Sequence, residues 1–172
     1  MKNFLHLHTV QLWKSLLCCF LLTALAACQS NESKIGGLFK LQTNLNLTIS
    51  AGSKLNPDEA RNASPLFIRL YELSSDELIQ SSNFIDLYER DSEVLADQLI
   101  QKQELDPVLP GTSRTEKITL SKTTQYVALY AEFFDYEDAQ YMLVFPVTKN
   151  NVFRDRVNVQ IDENRLRLAQ DL

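Results

Sequence analysis

The sequence predicts an all-β protein: one two-sheet β-sandwich with a small helical insertion between its second and third strands. Three observations carry this. Apolar and polar residues alternate with period two through Leu45, Leu47 and Ile49. Seven or eight short strand-like runs follow one another at near-regular spacing, the habit of a sandwich. Only between Ser74 and Leu105 does the apolar period lengthen to three and four, as a helix requires. The expected organisation is a signal segment over residues 1–27, a tether over 28–40 and a sandwich over 41–172, with the helical insertion at about 74–106.

The first 27 residues have the parts of a secretory signal: a weakly basic start with Lys2 and Lys14, an apolar core from Leu16 to Leu25, and small residues at the cut. The stretch from Leu16 to Ala27 is shorter than the roughly 20 apolar residues that a bilayer needs, so no permanent transmembrane helix is expected there. The run Leu25-Ala26-Ala27-Cys28 resembles the bacterial lipobox at all four positions. That resemblance implies that the Cys28 thiol is alkylated by diacylglycerol, and that Cys28 becomes an acylated N-terminus. The alternative is an ordinary signal cut that leaves Cys28 a free thiol. Each buried methylene of a lipid chain contributes about 0.8 kcal/mol, so several chains anchor a protein durably. Gln29 and Ser30 follow the cysteine, and an Asp there, the inner-membrane retention signal of such lipoproteins, is absent. The outer membrane is therefore the expected destination.

From Gln29 to about Lys40 the chain is polar and aperiodic and reads as a tether. Twelve residues at no more than about 3.6 Å each reach roughly 40 Å. The first strand then places Leu45, Leu47 and Ile49 on one face, with Asn44, Asn46, Thr48 and Ser50 on the other. Residues 51–63 break the alternation with Gly52, Asn56 and Pro57 and form a long loop. The second strand spans Pro65–Leu73, with Leu66, Ile68 and Leu70 opposed to Phe67, Arg69 and Tyr71. Arg69 and Tyr71 are expected as a pair on the sheet surface.

In the insertion, Phe84, Leu87 and Tyr88 sit at helical spacing behind Asn83 as N-cap, with Asp86 three residues on. Leu95 and Leu99 repeat the spacing after Asp91, a second cap candidate. Two short helices are the economical reading, ended by Pro107 and Pro110-Gly111. The remaining elements are strands: one with Ile118 and Leu120, an apolar run Tyr126–Phe134 that reads as a central strand, and Tyr141–Val147, which Pro146 assigns to an edge or bulge. A turn at Lys149-Asn150-Asn151, a strand with Val157, Val159 and Ile161, a turn at Asp162-Glu163-Asn164 and a last strand with Leu166 and Leu168 complete the chain.

Charge and composition exclude several functions. The chain has 17 Lys and Arg against 22 Asp and Glu, and losing Lys2 and Lys14 with the signal leaves 15 against 22, a net charge of −7. Such a surface disfavours nucleic acid and gives no electrostatic adhesion to anionic lipid. The signal also carries away Cys18, Cys19, His6 and His8, so the mature chain holds no histidine and no cysteine but Cys28. An internal disulfide, a Ser-His-Asp or Cys-His nucleophile and a Cys/His zinc site are then ruled out. Glu132, Asp135, Glu137 and Asp138 form an acidic cluster without the ligand spacing of a calcium loop, and read as a solvated hairpin tip.

The stretch Leu55-Asn56-Pro57-Asp58, followed by Ser64-Pro65-Leu66-Phe67-Ile68-Arg69-Leu70-Tyr71-Glu72-Leu73, resembles the TssJ (VasD) family, the outer-membrane lipoproteins of the bacterial type VI secretion system. The likeness continues in order through Phe84, Leu87-Tyr88, Pro110-Gly111 and Tyr126–Phe133, from the lipobox to Leu168. It departs from the family pattern at Tyr141, where Trp is expected, and at Leu129, where Gly is common. The resemblance implies a transthyretin-like sandwich with helical additions and a non-enzymatic role. It implies a lipid-anchored protein in the inner leaflet of the outer membrane that grips the periplasmic domain of the inner-membrane protein TssM. It also implies that residues 51–63 are the gripping element, with no cofactor or metal beyond the lipid on Cys28, and no small-molecule substrate.

A protruding loop on a rigid sandwich suits that role. Pro57 lowers the entropy lost on docking, Leu55 is placed to act as an apolar anchor, and Asp58, Glu59 and Arg61 are placed to set register beside Asn56. Shortening residues 53–61 is accordingly expected to leave stability within roughly 1 kcal/mol. Two other classes compete. A solute- or polysaccharide-binding lipoprotein would need a concave aromatic cluster, for which Tyr126, Tyr130, Phe133, Phe134 and Tyr136 are the raw material. A carboxylate-dependent hydrolase would need a paired acid signature that no segment supplies.

Overall fold

The computed structural model describes residues 43–147 and 156–169. The signal segment, Cys28, the tether and the turn at Lys149-Asn150-Asn151 lie outside the described residues. The elements are β1 (Thr43–Ala51), β2 (Ile68–Leu73), α1 (Glu77–Ser81), α2 (Phe84–Leu95) with a 3-10 turn at Ala96–Gln98, β3 (Leu99–Glu104), β4 (Ser113–Leu120), β5 (Tyr126–Ala131), β6 (Met142–Pro146), β7 (Arg156–Asp162) and β8 (Arg165–Leu168). They form two four-stranded sheets, β4-β1-β7-β8 and β3-β2-β5-β6.

The first sheet follows from simple alternation. Leu45, Leu47 and Ile49 point into the sandwich, opposed within the sheet by Ile118 on antiparallel β4 and Val159 on parallel β7. The other face of β1 is polar and wet, and cross-strand pairs lace it: Thr48 to Thr115 at 3.0 Å and Ser50 to Ser113 at 2.8 Å. The second sheet is covered on both faces over its two inner strands: β5 is apolar throughout and β2 is interrupted only by Arg69 and Glu72, whereas edge strand β3 is polar and exposed from Gln101 to Glu104. Leu66, Ile68 and Leu70 join Val127, Leu129 and Ala131 in the core between the sheets. On the outer face, Tyr71, Leu73, Ala128 and Tyr130 meet Ile79, Phe84, Leu87 and Leu95 of α1 and α2 in a second core. β5 is central as expected, and Pro146 sits on edge strand β6.

The helical insertion is shorter than the expected 74–106. It ends at Gln98, and Leu99 opens strand β3 instead of closing a helical turn. The sequence Leu-Ile-Gln-Lys-Gln-Glu favours helix locally, but β2 offers an unpaired edge. Pairing from Arg69↔Glu104 to Leu73↔Leu99 overrides that weak preference. Asn83 is the α2 N-cap, its Oδ1 accepting from the Asp86 N–H at 2.9 Å. Asp91 is not a cap. Arg90 leaves the helical conformation at φ −146°, kinking α2, and Asp91 turns inward to 5% exposure.

What Asp91 meets explains the kink and corrects the reading of Arg69 and Tyr71 as a surface pair. The Asp91 carboxylate accepts from Arg69 Nη1 (3.1 Å), Tyr71 Oη (2.9 Å), Lys102 Nζ (3.1 Å) and Ser92 Oγ (3.1 Å). Arg69 also donates to the carbonyls of Leu87 (3.0 Å) and Tyr88 (3.2 Å) and pairs with Glu132 at 2.7 Å. A cation on the last carbonyls before the kink caps the first half of α2 and suits its dipole. Burial alone would lift the Asp91 carboxyl, but hydrogen bonds from Lys102, Tyr71 and Ser92 outweigh it and hold the group below the ordinary carboxylate range. Burial, then the bond to Asp91, pushes the Tyr71 phenol above its usual range.

Candidate functional site

The loop joining β1 to β2 has a buried root and an exposed tip. Its root begins at Gly52, whose N–H donates to the Ile161 carbonyl at 2.8 Å. A Cβ on Gly52 would lie 2.9 Å from Asp162 Oδ1, so a larger residue there would displace the Asp162 side chain. Leu55 follows with no exposed surface, inside the core between the sheets. This corrects the expectation that Leu55 presents an apolar anchor to a partner: an isolated leucine flanked by polar residues gains more by entering its own core than by waiting in water.

Asn56 is the second root residue. It is buried to 2% exposure and sits in the left-handed region at φ 46°, which Asn tolerates better than most side chains. Its three polar handles tie three segments together. The backbone N–H donates to the Glu163 carbonyl (2.9 Å), Nδ2 donates to the Pro65 carbonyl (2.9 Å), and Oδ1 accepts from the Phe134 N–H (2.9 Å). The turn after β5, the turn after β7 and the start of β2 are thereby held against the loop.

The tip runs from Pro57 to Asn62 and is closed by Asp58. The Asp58 carbonyl accepts from the Arg61 N–H at 2.8 Å, its N–H donates to the Asn62 carbonyl at 2.9 Å, and its Oδ1 accepts from the Asn62 N–H at 2.8 Å. An aspartate that bonds the backbone a few residues on is the usual device for such a hook. Arg61 completes it with φ 65°. Asp58 is thus partly occupied with holding the tip, while Glu59, Ala60 and Arg61 are exposed. Among the described residues Glu59 and Arg61 form no ion pair. Lys54 pairs with Glu163 at 3.8 Å, both well exposed.

A shallow groove separates this tip from the turn after β5, lined by Pro57 through Arg61 on one wall and by Phe134 and Asp135 on the other. Phe134 is 66% exposed, whereas Phe133 beside it is 3% exposed in the core. The aromatics expected to cradle a ligand divide: Tyr126, Tyr130 and Tyr136 pack in the core beneath α1 and α2, where Tyr136 stacks on Phe84 at 4.3 Å, Phe133 belongs to the inter-sheet core, and Phe134 faces outward. The acidic cluster also divides. Glu132 turns under the helix onto Arg69, and Asp135, Glu137 and Asp138 stay in the exposed turn.

The model of the family described as "Type VI secretion lipoprotein, VasD, EvfM, TssJ, VC_A0113" matches residues 43–164, spanning all but the last of the described strands. The chain belongs to the type VI secretion lipoprotein family. No curated protein sequence matches it. Among solved structures, the type VI secretion lipoprotein TssJ1 of Pseudomonas aeruginosa is similar at 23% identity and a TM-score of 0.66, over 76% of this chain and 98% of that one. The Serratia marcescens protein Lip, a membrane-bound component of the type VI secretion system, is similar at 17% identity and a TM-score of 0.69, over 77% and 99%. A chain in the structure of the type VI secretion protein TssM C-terminal domain from EAEC is similar at 17% identity and a TM-score of 0.61, over 74% and 98%. At these identities the likeness concerns the fold, which in this TssJ-family chain is the two-sheet sandwich expected from the sequence.

Proposed function

We propose that this protein is an outer-membrane, lipid-anchored assembly subunit of a type VI secretion system, held by acyl chains on Cys28, and that the tip of its β1–β2 loop grips the periplasmic domain of a TssM-type inner-membrane protein. The protein acts by binding and positioning, with no catalytic step. The observation that carries the reading is the loop itself: a hook whose root is fixed by Leu55 and Asn56 and whose tip, Glu59 to Arg61, is exposed. A preordered loop loses little conformational entropy on docking, which favours affinity.

Placement supports the same reading. The chain enters the described domain at Thr43, and the loop leaves β1 at Ala51, at the other end of a 9-residue strand. At about 3.3 Å per residue those ends lie roughly 26 Å apart. The tip thus projects from the end of β1 opposite to the one at which the described chain begins. The match to the type VI secretion lipoprotein family supports a partner from the same secretion system.

The test is crosslinking in cells. A photoreactive residue at Glu59 is expected to capture the TssM-type protein of the same bacterium, and one at Lys117 on β4 is not. Capture from Lys117 alone would place the contact on the wrong face and sink the reading. In parallel, Cys28→Ser is expected to abolish incorporation of radioactive fatty acid, and undiminished labelling would rule out the lipid anchor at Cys28.

A further inference from the structure

The burial of Leu55 leaves the proposed grip without an apolar centre. Pro57, Asp58, Glu59, Ala60 and Arg61 offer charge and a proline ring but no large apolar side chain. Protein interfaces ordinarily draw most of their affinity from a few large side chains in a desolvated centre, ringed by polar groups that contribute less. The opposite wall of the groove supplies such a side chain. Phe134 is the most exposed large apolar residue among the described residues at 66%, and it lines the groove with the tip.

Asn56 makes the two walls one unit. Its side chain bonds the Phe134 N–H at 2.9 Å through Oδ1 and the Pro65 carbonyl at 2.9 Å through Nδ2, while its own backbone leads directly into Pro57 and the tip. A buried, doubly bonded amide between two exposed segments fixes their spacing, as an apolar amide-sized side chain would not. The groove is also acidic. Asp58, Glu59 and Asp135 line it against Arg61 alone, and Glu137 and Asp138 are exposed in the same turn as Asp135.

We infer that the docking surface is composite: Phe134 is its apolar anchor, the tip at Asp58–Arg61 its acidic rim, and Asn56 the positioning residue that keeps anchor and rim in register. The matching face on the partner carries an apolar socket bordered by lysine or arginine. This rests on the proposed grip of a TssM-type periplasmic domain and adds to it the residue that anchors and the charge that the partner must bring.

The experiment uses the full chain in detergent, immobilised, with the purified periplasmic domain of the TssM-type protein of the same bacterium as probe, followed by biolayer interferometry. Thermal melting of each variant reports the fold. Phe134→Ser is expected to weaken binding at least about tenfold, through faster dissociation. Phe134→Leu should recover most of that loss. Asn56→Ala should weaken binding although both Phe134 and the tip remain. Glu59→Lys combined with Asp135→Lys should slow association and flatten its dependence on salt. If replacing Asp58–Arg61 by a Gly-Ser bridge abolishes binding while a folded Phe134→Ser binds like the parent, the composite surface is overturned and the loop grip stands. If both variants bind like the parent, the loop grip falls with it.

Discussion

Asp91 and Asp58 are each the organising carboxylate of a small polar cluster, and they serve opposite ends. Asp91 is buried and accepts from side chains on β2, α2 and β3, so it ties the helical layer to the second sheet. Asp58 is half-exposed and bonds only within its own loop, to Asn62, shaping a tip that otherwise meets water. The same chemistry therefore ties two layers together in one place and, in the other, shapes an exposed tip to which the proposed grip assigns recognition. The comparison predicts that damage at Asp91 is read in stability, and damage around Asp58 in binding.

The largest effect is expected from Asp91→Ala. It removes the acceptor shared by Arg69, Tyr71 and Lys102 and leaves buried positive charge with Glu132 as its main remaining partner, a loss of about 3 kcal/mol or more. Chemical denaturation measures it, and a change under 1 kcal/mol would show that the cluster is incidental. Leu55→Ala comes next, at about 2–5 kcal/mol for a fully buried leucine. That figure also corrects the expectation that residues 53–61 can be shortened at little cost, because the cut would remove Leu55 and Asn56 from the core. The harmless cut is Asp58–Arg61 alone.

Acidification gives a subtler contrast. The folded Asp91 carboxyl lies below its ordinary range, near 4 in the unfolded chain, so its contribution is complete above that value and is lost as pH falls through the folded one. The stability gap between the parent and Asp91→Ala should thus be constant from about pH 5 to 7 and narrow below about pH 4. A gap independent of pH would mean that the Asp91 charge is not what holds α2.

The sandwich was legible in the sequence because its two sheets have distinct signatures: strict alternation in β1 and β7, whose outer sheet face is wet, and, in the sheet covered twice, a continuous apolar run in β5 beside a β2 broken only by Arg69 and Glu72. What escaped was set by tertiary pairing. The Leu99–Glu104 segment becomes a strand only because β2 has an edge to fill, and no local period announces it. Arg69 and Tyr71 were legible as neighbours on one strand face, but Asp91 lies 22 and 20 residues beyond them, so its meeting with them has no sequence pattern. The loop was legible as a loop from Gly52, Asn56 and Pro57, but its division into root and tip was not. Leu55 and Phe134 are each an apolar residue beside polar ones, and only the fold decides that the first turns inward and the second outward.

On the proposed function the loop tip grips and the loop root only holds. Titration calorimetry of the periplasmic domain of the TssM-type partner into the full-length protein in detergent, with and without a Gly-Ser replacement of Asp58–Arg61, tests it most directly. The account predicts that the replacement leaves unfolding free energy within about 1 kcal/mol and lowers affinity at least about tenfold, equivalent to about 1.4 kcal/mol. A folded variant with the parent's affinity would contradict it.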